Sequence, residues 1–238
     1  MSNEKQSPPS PTPRRGFIAR VLAGSAALVA AGSTARLLDA ASVHATTGPT
    51  GTSITDIHPD WMSELTGKHR TVFDTAAHRN GKPLEQARNY LEAWREAFKV
   101  PETDINLVIG VHGEGIPFVL TDAMWTRFKL GEQYDVVDRG TKGAATLNVF
   151  TSAHAAAAGL VTPDQAVDAL QRRGVRFLIC MNTIAGATKK LAAAGLGTAE
   201  EIRPAIMGGL LPGVILVPAM VVALTQLQER GVRYTKIA

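Results

Sequence analysis

Aromatic residues are scarce in this chain: three Trp, three Tyr and seven Phe make up 5% of its 238 positions. That leaves little material for the stacking platforms on which proteins hold bases, and no RNA- or DNA-binding motif is present. A formal net charge of +4 and an isoelectric point near 9.4 do not reverse the point. The Lys and Arg are scattered, and Arg14, Arg15, Arg20 and Arg36 fall in a leader-like segment, so no nucleic-acid partner is expected. Cysteine is scarcer still. Cys180 is the only one, which excludes an internal disulfide and leaves a thiol that is either buried and inert or kept for a reaction. Long apolar runs are also few. Residues 208–227 carry no charge over the length of a membrane helix, but Pro212, Gly213 and Pro218 divide them into a turn, a strand and the start of a helix, so no stable membrane span is expected there.

With hydrophobic content at 45% and charged content at 19%, the chain suits one compact domain with a sizeable core. The amino-terminal segment reads differently. Residues 1–13 are polar and Pro-rich. Arg14-Arg15-Gly16-Phe17-Ile18 follow, then an apolar stretch over 21–31 and small residues ending in Ser42-Val43-His44-Ala45. The order is a charged region, a short hydrophobic region and a small-x-small cleavage site, and the paired arginines resemble a twin-arginine export signal, with Pro13 where Ser or Thr is usual. Residues 1–45 are therefore expected to be a signal peptide, 46–56 a Thr/Gly/Pro-rich tether and 57–238 the α/β domain, periplasmic or otherwise exported. The apolar stretch is far short of the roughly 20 residues that span a bilayer.

The domain is organised around Arg173-Gly174-Val175-Arg176-Phe177-Leu178-Ile179-Cys180-Met181-Asn182. Residues 175–179 are apolar and β-rich, and Asn182-Thr183 lead into the Ala-rich stretch 184–194, so the pattern predicts strand, cap, helix. Cys180 falls at the carboxyl end of the strand, where open parallel sheets place their ligand crevice. The positive pole of the following helix stabilises a thiolate, the form that attacks or carries sulfur. A lone buried cysteine acting as a small hydrophobe is the bland alternative.

Elsewhere the pattern alternates. A first strand is expected over 69–73, ended by Asp74, and Leu84, Ala87, Leu91, Trp94 and Phe98 mark a helix over 82–99. A second strand over 104–111 runs through Leu107-Val108-Ile109 and ends in the turn His112-Gly113-Glu114-Gly115, after which residues 118–130 read as a helix with Trp125 inward. Both Trp94 and Trp125 read as core. Residues 131–162 read as an irregular excursion on the surface or at a subunit contact, with a strand fragment at Asp135-Val136-Val137. A helix over 163–173 capped by Thr162, a strand over 213–217, a helix over 218–230 and a strand over 232–237 complete a doubly wound, mostly parallel three-layer α/β domain.

Beside Cys180, the candidate site residues are His112 and Glu114, which leave the second strand toward the same crevice. An imidazole near a thiol holds it as thiolate, and a carboxylate orients the imidazole; a backbone-bonded turn histidine is the alternative. Asn182 and Thr183 are expected as helix caps, with a possible role toward an anion. Gly113-x-Gly115 is too short for a dinucleotide fingerprint, so no cofactor is expected, and the spacing of His112, Cys180 and Glu114 gives no support for a metal.

The stretch 173–180, then Leu211-Pro212-Gly213-Val214-Ile215-Leu216-Val217-Pro218-Ala219-Met220, then Leu227-Gln228-Glu229-Arg230-Gly231-Val232-Arg233-Tyr234-Thr235-Lys236 together resemble the DsrE/DsrF-like sulfur-relay family. His69-Arg70-Thr71-Val72-Phe73-Asp74 and Asp122-Ala123-Met124-Trp125 are similar to its larger, exported members. The resemblance covers residues 68–237. It implies a flavodoxin-like fold, a homo-oligomer built on trimers, and a cysteine at the position of Cys180 that carries persulfide sulfur between a donor and an acceptor protein. This chain adds a leader and the excursion over 131–162, and has no second cysteine for a resolving step. Two functions follow as expectations: a sulfur carrier or thiol/persulfide transfer protein acting through Cys180, or a non-catalytic small-molecule or protein-binding scaffold of the same fold. Oxidation of Cys180 as a redox signal is a third.

Overall fold

A computed structural model describes residues 59–237; the signal peptide and tether expected over 1–56 lie outside the described residues. A 3₁₀ turn, Pro59–Glu64, precedes β1 (His69–Ala77), α1 (Lys82–Ala97), β2 (Ile105–Glu114), α2 (Asp122–Phe128) and α3 (Leu130–Gln133). Two-residue strands β3 (Val137–Asp138) and β4 (Gly143–Ala144) come next, then α4 (Ser152–Ala158), α5 (Val167–Arg172), β5 (Arg176–Cys180), α6 (Met181–Ala193), α7 (Ala199–Gly208), β6 (Ile215–Val217), α8 (Met220–Glu229) and β7 (Arg233–Ile237).

Five strands form one sheet in the order β6-β5-β2-β1-β7, every neighbouring pair parallel. Helices cover both faces, so the domain is the expected flavodoxin-like α/β layer structure. The two faces are unequal. Phe73, Leu107, Ile109, Phe177 and Ile179 point into a large core shared with α1, α2, α5, α6 and α7. Their alternates Val72, Val108, Leu178, Cys180 and Val217 point into a smaller core closed by Met220, Ala223, Leu224 and Leu227 of α8 and by Met62 and Leu65. The alternation follows from the two-residue period of a strand, and burial on both faces explains why β2 is nearly continuous in apolar residues. Close seating of α8 on the sheet depends on Gly110, where a Cβ would come within 2.8 Å of the Met220 Sδ.

Several expectations are corrected. Asp74 does not end the first strand; it lies inside β1, which runs on to Ala77. His112 and Glu114 belong to β2 rather than to a turn. Residues 116–119 form a 3₁₀ turn and α2 begins only at Asp122, because the chain is extended at Leu120 and Thr121. The segment 163–173 is likewise split by an extended Ala166 into a 3₁₀ turn and α5. Trp125 is fully buried, whereas Trp94 is only half-buried, its ring 3.9 Å from that of His69 and 5.1 Å from that of Phe98.

The excursion over 131–162 has a core role after all. Val136 and Phe150 are 0% exposed, and the side chain of buried Asn148 donates to the carbonyls of Phe118 (3.3 Å) and Leu120 (2.6 Å) while accepting from the Phe150 amide at 3.0 Å. A buried amide that satisfies three backbone groups holds an irregular segment where no regular element does.

Candidate functional site

Register places the site. Val111 lies opposite Ile179, so the next residues on the two strands, His112 and Cys180, are neighbours; Asp74 lies opposite Gly110 and Tyr234 opposite Val72. Parity then puts Cys180, His112, Asp74 and Tyr234 on the α8 side of the sheet, on four successive strands, with Cys180 and His112 at its carboxyl end and Asp74 and Tyr234 stepping back from it toward the middle of the sheet.

Cys180 is free and 3% exposed. The strand passes into α6 without a loop, so Cys180 itself is the helix N-cap: the Thr183 amide donates to Sγ at 3.4 Å, and the Thr183 Oγ1 lies 3.2 Å from Sγ. Asn182 and Thr183, expected as caps, occupy the first turn instead. Thr183 Oγ1 also accepts the Gly113 amide at 3.3 Å, which ties the tip of β2 to that of β5. Gly113 is required in this bend, with φ of 53° and room for a Cβ denied by the Ala76 carbonyl at 2.9 Å.

His112 and Glu114 have parted company. The carboxylate that orients the imidazole is Asp74, whose Oδ1 lies 2.7 Å from His112 Nε2, and Tyr234 donates its hydroxyl to Asp74 Oδ2 at 2.8 Å. A carboxylate only accepts, so the network assigns a ring proton to Nε2. The bond to Asp74 also pushes the Tyr234 phenol up. Glu114 pairs with Lys190 of α6 at 3.0 Å, and the Lys190 ammonium sits 4.0 Å from the centre of the Tyr134 ring. Tyr134 is 4% exposed and its hydroxyl has no hydrogen-bond partner among the described residues. Burial, with Glu114 second, pushes that phenol up, so it stays a neutral donor. Its backbone is fixed by His78: Nε2 donates to the Tyr134 carbonyl at 2.8 Å and Nδ1 accepts the Asn80 amide at 3.2 Å. Burial holds the His78 imidazole below its ordinary range.

Several of these groups line a cavity of about 450 Å³ between α6 and the amino end of α8. Cys180, His112, Glu114, Asn182 and Thr183, all expected from the sequence, line it together with Tyr134 and Lys190, while Met220 and Val221 supply an apolar wall. Sequence reasoning missed Asp74, Tyr234, Tyr134 and Lys190. For Asp74 a signal existed, a carboxylate inside an otherwise apolar strand. Lys190 also had one, since it follows Thr183 by seven residues on the helix that Cys180 caps; Tyr134 and Tyr234 had none, because they reach the site from elements distant in sequence. No cluster of three His, Cys, Asp or Glu able to hold a metal occurs among the described residues. The site offers one thiol, one imidazole backed by a carboxylate, one ion pair and one free phenol around a small, largely apolar space.

No family model matches the chain, and no curated protein matches it. One solved structure is similar: a protein of unknown function, MTH1491, from Methanobacterium thermoautotrophicum, at 18% identity over 71% of this chain and 99% of that one, with a TM-score of 0.38.

Proposed function

We propose that this chain is an exported sulfur carrier that accepts and passes on sulfane sulfur through Cys180. The observation that carries the reading is the placement of the single cysteine as N-cap of α6 at the floor of the cavity, with the Thr183 amide and hydroxyl both within reach of Sγ. Donors at a helix amino end suit a sulfur that bears charge, as a thiolate before transfer and as a persulfide anion after it. The resemblance to the DsrE/DsrF-like family supports the same reading. In the transfer the Cys180 thiolate attacks the outer sulfur of a persulfide donor, the donor's S–S bond breaks and its thiolate leaves with the electron pair. With thiosulfate, sulfite is the leaving group. Neither route needs an oxidant or reductant, and the cavity gives the added sulfur room above an otherwise buried thiol.

Intact mass after incubation with glutathione persulfide tests this: the folded protein gains one sulfur atom, and Cys180→Ser gains none. An unchanged mass together with a thiol that resists alkylation rejects it. The 3% exposure of Cys180 favours a second reading in that event, a non-catalytic binding scaffold in which the thiol is packing. We also infer a homo-oligomer, supported by Val221 and Val222, 71% and 49% exposed on α8; a clean monomer on sedimentation at micromolar concentration overturns it.

A further inference from the structure

Asp74, His112 and Tyr234 form a chain of side chains that no packing need explains. A carboxylate in the middle of a parallel sheet, 13% exposed at its side chain, is stable only if its oxygens are bonded, and here each oxygen takes one proton donor: His112 Nε2 at 2.7 Å and the Tyr234 hydroxyl at 2.8 Å. Both donors sit on the same sheet face as Cys180, and the imidazole stands on the strand next to it in register. Adjacent strands lie about 4.8 Å apart, and the imidazole and the thiol line one cavity. The arrangement is a nucleophile, a base and a group that orients the base, drawn from three neighbouring strands.

We propose that His112 is the proton acceptor for the Cys180 thiol, and that Asp74, held by Tyr234, is a positioning residue that fixes the imidazole tautomer and stabilises its protonated form. The inference rests on the reading of Cys180 as the reacting thiol. The S–H proton moves to His112 Nδ1, leaving a thiolate held by Thr183 and an imidazolium whose Nε2–H remains on Asp74. When the acceptor later takes the sulfur, the same proton returns to the Cys180 sulfur. In that second step an acceptor thiolate attacks the outer sulfur, the S–S bond breaks and its electron pair stays on the Cys180 sulfur, so neither step needs an oxidant or reductant.

The charged and titratable groups around His112 are Asp74 from β1, Glu114 on its own strand, Cys180 from β5, Lys190 from α6 with its Glu114 partner, Tyr134, and from β7 Tyr234 and Lys236, the latter in register with Asp74. From α8 only Met220 and Val221 line the cavity. Asp74 is therefore the only one of these groups bonded to the ring, and removing its charge while keeping its shape isolates its role.

The test is the rate of Cys180 alkylation by iodoacetamide as a function of pH in the mature protein and in Asp74→Asn. The expected result is a profile displaced to higher pH, with the rate near pH 7 reduced roughly tenfold or more, the scale on which positioned bases act. Asp74→Asn with wild-type unfolding behaviour and an unchanged profile overturns the proposal. Should that variant not fold, Tyr234→Phe carries the test, since its ring is 43% exposed and only its hydroxyl reaches Asp74: a smaller displacement in the same direction supports the relay, and an unchanged profile overturns it. Alkylation needs no sulfur donor. A chain that shows these displacements yet never gains sulfur from glutathione persulfide keeps the relay and loses the carrier function.

Discussion

Replacing Thr183 by Val removes one oxygen from the site and little else. The two side chains are nearly equal in shape, both are β-branched and of similar helix propensity, and the backbone amide that caps Cys180 at 3.4 Å is untouched. What disappears is the Oγ1, 3.2 Å from the Cys180 Sγ and 3.3 Å from the Gly113 nitrogen. The Gly113 contact lies at the long end of hydrogen bonding and Gly113 is exposed, so water replaces its lost acceptor. The expected loss of folding stability is about 1 kcal/mol or less. The effect on sulfur loading is larger, because a donor to an anionic sulfur contributes about 1.5–3 kcal/mol, which corresponds to a rate reduced roughly 10- to 100-fold. Urea unfolding followed in parallel with the rate of mass gain from glutathione persulfide separates the two, and Thr183→Ser, which restores the hydroxyl, recovers most of the rate. A Thr183→Val protein that loads at the wild-type rate refutes the account of Sγ as a sulfur held in its charged form by this residue.

The remaining predictions concern the scaffold. Asn148→Ala strips three side-chain hydrogen bonds from a fully buried position and is expected to lower stability by about 3–5 kcal/mol in chemical denaturation; a loss below about 1 kcal/mol contradicts its role in holding the excursion. His78 gives a pH dependence with a definite sign. Its folded imidazole is held below the ordinary value of 6.5 by burial, so the unfolded chain binds the proton first as pH falls. Stability from this group is complete above pH 6.5 and declines as pH drops from there toward the lowered folded value, by no more than about 1.4 kcal/mol per pH unit. His78→Gln removes that limb of the stability–pH curve, and a curve identical to wild type argues against the assignment.

Much of the layer structure was legible in the sequence because parallel strands buried on both faces read as short apolar runs, and β2, β5, β6 and β7 fall close to where the pattern puts them. Expected site residues also converge, since Cys180 and His112 each lie in the last residues of a strand whose neighbour the alternation of elements fixes. Where the reading failed, the causes are local. The helix α7 was overlooked although Thr198 and Glu201 form a capping box at its start, a signal masked by the Pro204 inside it. Residues 131–162 looked irregular because their order comes from the side chain of Asn148 rather than from any periodic pattern, and hydrogen bonds from a side chain to carbonyls 28 and 30 residues away leave no trace in spacing. Asp74 looked like a strand terminator for a similar reason: a carboxylate inside a strand is tolerated only when partners such as His112 and Tyr234 meet it, and both partners come from other strands.

The claim that Cys180 reacts through the cavity between α6 and α8 is tested most directly at Gly186. This residue lines the cavity from α6, a Cβ there meets nothing within 4 Å, and Leu in place of Gly inside a helix adds roughly 0.5–1 kcal/mol of helix propensity. Gly186→Leu therefore puts a bulky side chain into the cavity that Sγ lines while leaving the fold at least as stable. The account predicts that the wild-type chain gains one sulfur atom on Cys180 from glutathione persulfide and that Gly186→Leu loads at least roughly tenfold more slowly, in line with a reacting atom denied its approach. A wild-type chain that gains no sulfur, or a folded Gly186→Leu that loads as fast as wild type, contradicts it.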